Sequence, residues 1–382
     1  MALSLRLPGI IVFLAIGTAV CTGPGLRRAR AQRGLPDRST VVTVSQVSLS
    51  SRSFAPSLKE TLQVRYSLSR DAAVTVKMFD PDQELVRVIA SKAARKAGAN
   101  RETWDGHDLD GRIVPNEAYF FTIEAEAPAL APAIYDPVTF SGGDFGDITR
   151  GELSHDMGTF SYKLGQPSRV RLRVGIQGSA MAKTVVDWEP RVAGTITERW
   201  NGMDEDNLVS IWHRPKFTMI LTYFALPENS VIAVGNDRYT YRTYKTGLAA
   251  PRPKKEERPF AGDRRITPHF LRSRLTDRAF RVRLTFPELE KGKFVDVPEV
   301  KDRILVHVDV DQEDKAILLN QQHEIMLFND FIFHAEEERG YLPFNFPWEL
   351  QQLAAGEHIL TVNISSHADQ VGVGSRKIRV IK

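Results

Sequence analysis

Cysteine is nearly missing from this 382-residue chain, and the single one, Cys21, lies in the N-terminal stretch. A chain matured past that point has no disulfide, no thiol nucleophile and no cysteine metal ligand. Its domains must then hold together by their own cores. Long apolar runs are scarce as well. Ile10 to Val20 has the length of a signal-peptide core and is short for a membrane-spanning helix. With Arg6 before it and Ala29-Arg30-Ala31 after it, residues 1–31 are expected to be a signal peptide cleaved before Gln32. Val20 is not the small residue that a lipidation motif places before its cysteine. Net charge is also low. The formal +4 comes from 51 Lys+Arg against 47 Asp+Glu. Arg6, Arg27, Arg28 and Arg30 account for the excess, so the mature chain is neutral and lacks the basic footprint of a nucleic-acid binder.

Catalytic signatures are absent from the sequence too. It has no Gly-x-Ser-x-Gly elbow, no His-Glu-x-x-His and no Cys-x-x-Cys-His. Ser141-Gly142-Gly143 lacks the lysine and helix of a phosphate loop. No enzyme activity and no cofactor are expected.

What the chain does have is a repeat. Tyr66 to Met78 (YSLSRDAAVTVKM) is answered by Tyr162 to Val174 (YKLGQPSRVRLRV). Ala97 to Gly111 (AGANRETWDGHDLDG) is answered by Ala193 to Asn207 (AGTITERWNGMDEDN). Both pairs are offset by 96 positions, which places Tyr66 against Tyr162 and Trp104 against Trp200. A period this long is a whole small domain rather than a solenoid unit.

Period-two alternation marks the strands. Leu62, Val64, Tyr66 and Leu68 alternate with polar residues, as do Val74, Val76 and Met78. Such strands bury one face, as in an antiparallel sandwich. Asp80-Pro81-Asp82, Ala97-Gly98-Ala99-Asn100 and Asp105-Gly106 read as turns. The Pro/Ala-rich stretch 127–137 reads as a short stiff linker. The Pro- and charge-rich stretch 245–268 reads as a solvated linker, with an extended segment laid across a neighbour as the alternative. The expected order is residues 40–126, a divergent repeat at 138–244, the linker 245–268, and a third β-sandwich at 269–382. In this last unit Val306, Val308 and Val310 alternate with His307, Asp309 and Asp311.

On Leu68-Ser69, Val74, Val76, Phe79-Asp80, Ala97-Gly98, Trp104-Asp105-Gly106, Asp108, Gly111, Val114 and Tyr119, residues 40–126 resemble the Ig-like domain of the flagellar hook-capping protein. The resemblance implies an Ig-like fold and an extended, non-catalytic, assembly-type role. The second copy departs from it at Asn201 and Asn207, which replace Asp105 and Gly111. Pro343 to Trp348, with Leu353 and Gly356-Glu357-His358, make residues 269–382 similar to a further bacterial Ig-like domain. The fold expected is all-β, with tandem Ig-like or fibronectin-like sandwiches.

Three constellations compete for a role. Trp104, Asp105, Gly106, Asp108 and Gly111, and Trp200, Asn201, Gly202 and Asp204 in the second copy, have the carboxylate spacing of a loose calcium loop. They read better as a turn in which glycine supplies positive φ. His307, Asp309, Asp311, His323 and His334 invite a metal reading, but His307, Asp309 and Asp311 share one alternating face that reads as solvated, so no metal is assigned. Trp188, Trp212, Tyr239 and Tyr241 are the candidate binding aromatics, with Tyr239 and Tyr241 on one strand face. Core filling is the competing use. The functional expectation is a secreted structural or accessory subunit of a periplasmic or cell-surface assembly that binds protein partners. A carbohydrate-binding or adhesive protein, with polysaccharide as ligand, is the alternative.

Overall fold

The computed structural model describes residues 41–382, so the expected signal peptide lies outside the described residues. The fold is all-β, with six sheets that pair into sandwiches. In the first sandwich Val44–Leu49, Leu62–Leu68 and Gly98–Trp104 form one sheet. The facing sheet runs in the order Ser53–Phe54, Val231–Ala233, Glu117–Glu126, Ala72–Phe79, Leu85–Arg95. Leu62, Val64, Tyr66 and Leu68 point into the core, as the alternation requires. Trp104, Tyr119 and Phe121 fill its centre. Glu117–Glu126 is buried on both faces, because it lies mid-sheet and other segments cover its outer side.

The second sandwich repeats this plan. Gly151–Ser154, Thr159–Leu164 and Gly194–Arg199 face a sheet of Met181–Arg191, Ser168–Ile176, Phe217–Ala225 and Phe145–Asp147. Strand Met181–Arg191 begins and ends 96 positions after Leu85–Arg95. A triad recurs at the same offset. The Tyr66 hydroxyl donates to Glu102 at 2.8 Å, and Arg95 Nε grips the same carboxylate at 2.7 Å. Tyr162, Glu198 and Arg191 repeat this at 2.9 and 2.7 Å. In the third sandwich Val282–Thr285, Arg303–Val310 and Phe344–Glu349 face Glu299–Val300, Val371–Val380, Gly356–Ser366, His323–Asn329 and Ile332–Glu337. Val306, Val308 and Trp348 lie at its centre.

Two features depart from a simple string of modules. Val231–Ala233, which follows the second sandwich in sequence, pairs with Glu117–Glu126 and Ser53–Phe54 of the first. Val231 and Ala233 belong to the first core. The stretch 245–268, expected to be solvated, is laid along the first sandwich instead. Leu85 N donates to Pro253 O at 2.8 Å and Lys255 N to Gln83 O at 2.7 Å. Lys245 reaches Asp80 at 2.7 Å and Glu84 at 2.6 Å, Lys255 reaches Asp136 at 2.7 Å, and Arg258 reaches Glu124 at 3.3 Å. The basic residues that suggested solvation are the ones that bind it down, because Asp80 and Asp136 are buried acids that need cations.

Candidate functional site

The turns after Trp104 and Trp200 are built the same way. Trp104 Nε1 donates to His107 O at 3.0 Å, and Trp200 Nε1 to Met203 O at 2.9 Å. Asp105 accepts from His107 N, and Asn201 from Met203 N, both at 3.1 Å. An aspartate then closes each turn with its side chain. Asp108 accepts from the backbone of Asp110 and Arg112, and Asp204 from that of Leu208 and Val209. Gly106 and Gly202 have φ of 75° and 78°, the left-handed backbone that favours glycine. At Gly111 φ is 75°, and Asn207 matches it at 57°, a conformation asparagine tolerates. With Oδ1 of each engaged by backbone N–H groups, these aspartates act as turn braces.

A cluster of charged residues lies where the three sandwiches meet. Strand Ser168–Ile176 supplies the hub. Val170, Leu172 and Val174 face apolar neighbours, while Arg169, Arg171 and Arg173 project from the opposite face. Arg169 donates to Glu117 of the first sandwich at 2.6 Å, and both are buried. Arg171 Nη1 donates to the Asp369 carbonyl of the third sandwich at 2.8 Å, and its Nη2 pairs with the Asp369 carboxylate. Arg173 adds a contact to that carboxylate at 3.2 Å. From the connecting stretch, Arg274 reaches Glu189 at 2.8 Å and Glu117 at 3.7 Å, and its backbone N–H donates to Asp82 at 2.7 Å. One residue thus touches the first two sandwiches.

Trp188 stands at the centre of this joint. The Arg171 guanidinium lies 4.4 Å from its ring centre, the His269 ring 4.6 Å and the Phe224 ring 5.0 Å. His269 Nδ1 is 2.8 Å from Asp277 and its Nε2 3.5 Å from Asp369. A cavity of about 50 Å³ opens between Trp188, His269, Phe270 and Tyr119. Burial disfavours the charged His269, but its bonds to Asp277 and Asp369 prevail and raise its pKa. Burial also works against an ionised Asp369, yet the His269 bond and the charges of Arg171 and Arg173 hold it well below the usual carboxylate range. Asp187 and Glu189 are pushed up by burial, with Arg274 opposing the shift. The opposite charges of this joint pair with one another, an arrangement suited to fixing neighbours in register.

The four candidate aromatics do not form an exposed row. Trp188 is 1% exposed and Tyr241 8%. Trp212 and Tyr239 are half-buried. Tyr239 and Tyr241 share no strand, since Tyr241 opens the short helix Tyr241–Thr246. The Tyr241 hydroxyl donates to Asp80 at 2.9 Å, and the Tyr239 hydroxyl bonds to Ile113 O. Alternation over three residues was too short to tell strand from helix entry. The histidines and aspartates of the last unit are likewise kept apart. His307 bonds to Asn345, Asp309 to Lys315 and Asp311 to Arg283, while His334 stacks on Trp348. Among the described residues no group of three or more His, Cys, Asp or Glu side chains is arranged to hold a metal ion. None of their helices is long and apolar enough to cross a membrane.

Sequence reasoning missed the joint. Arginine alternating with valine and leucine reads as a solvated strand face. Only three arginines on one face of a strand flanked by apolar strands gave a hint.

No curated protein matches the sequence. Among solved structures, the endo-β-1,4-mannanase from Thermotoga petrophila aligns at 18% identity and a TM-score of 0.21, over 28% of this chain and 20% of that one. The chain therefore spans about a fifth of that protein's length. The fibronectin(III)-like modules of CbhA from Clostridium thermocellum align at 9% identity and a TM-score of 0.18, over 89% of this chain and 94% of that one. A structure of a 1.5-MDa bacterial ice-binding adhesin aligns at 9% identity and a TM-score of 0.19, over 90% and 99%. The match to a family model is local and overlaps the first sandwich: residues 53–128 match the FlgD Ig-like domain.

Proposed function

We propose that this chain is an exported, non-catalytic structural or accessory subunit of a protein assembly in the periplasm or at the cell surface. In this reading it carries three Ig-like units in a row, the second a divergent copy of the first. The observation that carries the reading is the joint around Trp188. Arg169 is tied to Glu117, Arg171 to Asp369, and Arg274 to Glu189. Three sandwiches locked at fixed angles present their edges to a partner as one rigid surface. A string of freely hinged modules would lose more entropy on binding. The segment 245–268 supports the same reading, since it ties itself to the first sandwich through Lys245 and Lys255. The carbohydrate alternative relied on exposed aromatics, and Trp188 and Tyr241 are committed to the interior.

The test is affinity purification of the tagged mature protein from its native envelope and medium, followed by mass spectrometry. A stoichiometric protein partner, lost on Asp369→Ala while circular dichroism retains the β signal, is the expected result. A solitary protein in every fraction, with polysaccharide quenching its tryptophan fluorescence, would replace this reading with the carbohydrate one.

A further inference from the structure

The second sandwich carries a histidine pair that the turn and joint described above do not use. His155 lies on the turn between Gly151–Ser154 and Thr159–Leu164, and His213 lies just after Trp212. Both are exposed. Their ring centres are 5.0 Å apart at an interplanar angle of 79°. The two turns that carry them are fixed from below. Trp212 packs against Gly202, where a Cβ would overlap the indole, and 5.0 Å from Trp200. His155 packs 5.2 Å from Trp212. Gly158 N donates to His155 O at 3.3 Å, and Gly158 O accepts from Trp200 N at 2.9 Å, which ties the His155 turn to the same tryptophan.

Two imidazoles bound to one metal through nitrogens at about 2.0–2.1 Å hold their ring centres roughly 4.5–5.2 Å apart, for ligand angles from about 90° to tetrahedral. The observed separation falls inside that interval. We propose that His155 and His213 form a surface site for Cu(II), with solvent completing the coordination. Copper is the metal of choice because two imidazoles without a carboxylate cage give modest affinity. Among divalent first-row metals Cu(II) gains most from such nitrogen ligands. This inference does not depend on the assembly role.

The experiment is titration of the purified mature protein with Cu(II) at pH 7.5, read by tryptophan emission and by electron paramagnetic resonance. One equivalent should quench the emission, since Trp212 and Trp200 sit beside the metal, and the spectrum should show nitrogen ligation. His155→Gln and His213→Gln should each weaken binding by roughly tenfold or more. Trp212→Phe should keep the nitrogen-ligated spectrum while losing much of the quenching. Both histidines are exposed, so the Gln variants should unfold at the wild-type denaturant midpoint. Titration curves that are the same for wild type and the double variant His155→Gln/His213→Gln would overturn the site. Quenching that develops only over many equivalents would do so too.

Discussion

Lys92 and Trp188 occupy the same β-bulge in the two copies of the repeat, 96 positions apart, and point to opposite fates. Both have left-handed backbone, with φ of 44° and 53°. In each copy two residues on this strand face one on its neighbour, Thr75 in the first and Arg171 in the second. The Lys92 side chain is 73% exposed and reaches Glu126 at 3.5 Å. Trp188 is 1% exposed and carries Arg171, His269 and Phe224 around it. One backbone device thus serves a free surface in the first sandwich and an inter-sandwich joint in the second.

Truncation should separate the two. Trp188→Ala removes a buried aromatic at the joint and should destabilise the protein by about 3–5 kcal/mol. Lys92→Ala changes an exposed side chain and should stay within about 0.5 kcal/mol of wild type. Equilibrium urea unfolding measures both, and equal effects would show that the bulge position, not the indole, matters.

Stability should fall with pH on the alkaline side of the histidine range because of His269. Its folded pKa is raised above 6.5, so the folded state holds the proton more tightly than the unfolded chain. The contribution is complete below about pH 6.5 and is lost as pH rises through the folded value. His269→Gln should flatten this part of the profile, and Asp369→Asn should lower the His269 pKa. Urea midpoints from pH 5.5 to 8.5, with NMR titration of the imidazole, check the two claims.

The strap should depend on charge at Asp80. Burial pushes this carboxyl up to about 6 even with Lys245 beside it. Lys245→Ala would leave a buried acid without its cation, and at pH 7.5 should cost about 3–5 kcal/mol. Near pH 5 the acid takes up a proton in the folded state and the penalty should shrink. Unfolding at the two pH values tests this, with limited proteolysis reporting release of residues 245–268. A penalty equal at both would mean that lost packing, not charge, is the cause.

Much of the architecture was legible along the chain. Leu62, Val64, Tyr66 and Leu68 announce a strand because side chains in extended backbone alternate between faces, and the structure buries those four. The offset linking Trp104 to Trp200 appears in space as two equivalent turns, since Asn201 accepts the same backbone bond as Asp105 and Asn207 tolerates the φ of Gly111. Local signals failed where the answer lay far away. Tyr241 and the basic stretch after it read as strand and solvated linker, because nothing within a few residues of Lys245 or Lys255 reveals the buried Asp80 and Asp136.

By itself the sequence determined the alternating strands and the turns after Trp104 and Trp200, which depend on backbone preference and burial pattern over a few residues, and the repeat, whereas Gly98 to Asn100, read as a turn, lies in a strand. Only the tertiary structure decided that Val231–Ala233 returns to the first core and that Arg171 meets Asp369, 198 positions away. Charge pairing and strand pairing are conditions on space rather than on sequence distance. An arginine facing water and an arginine facing a buried aspartate look alike until the chain has closed around them.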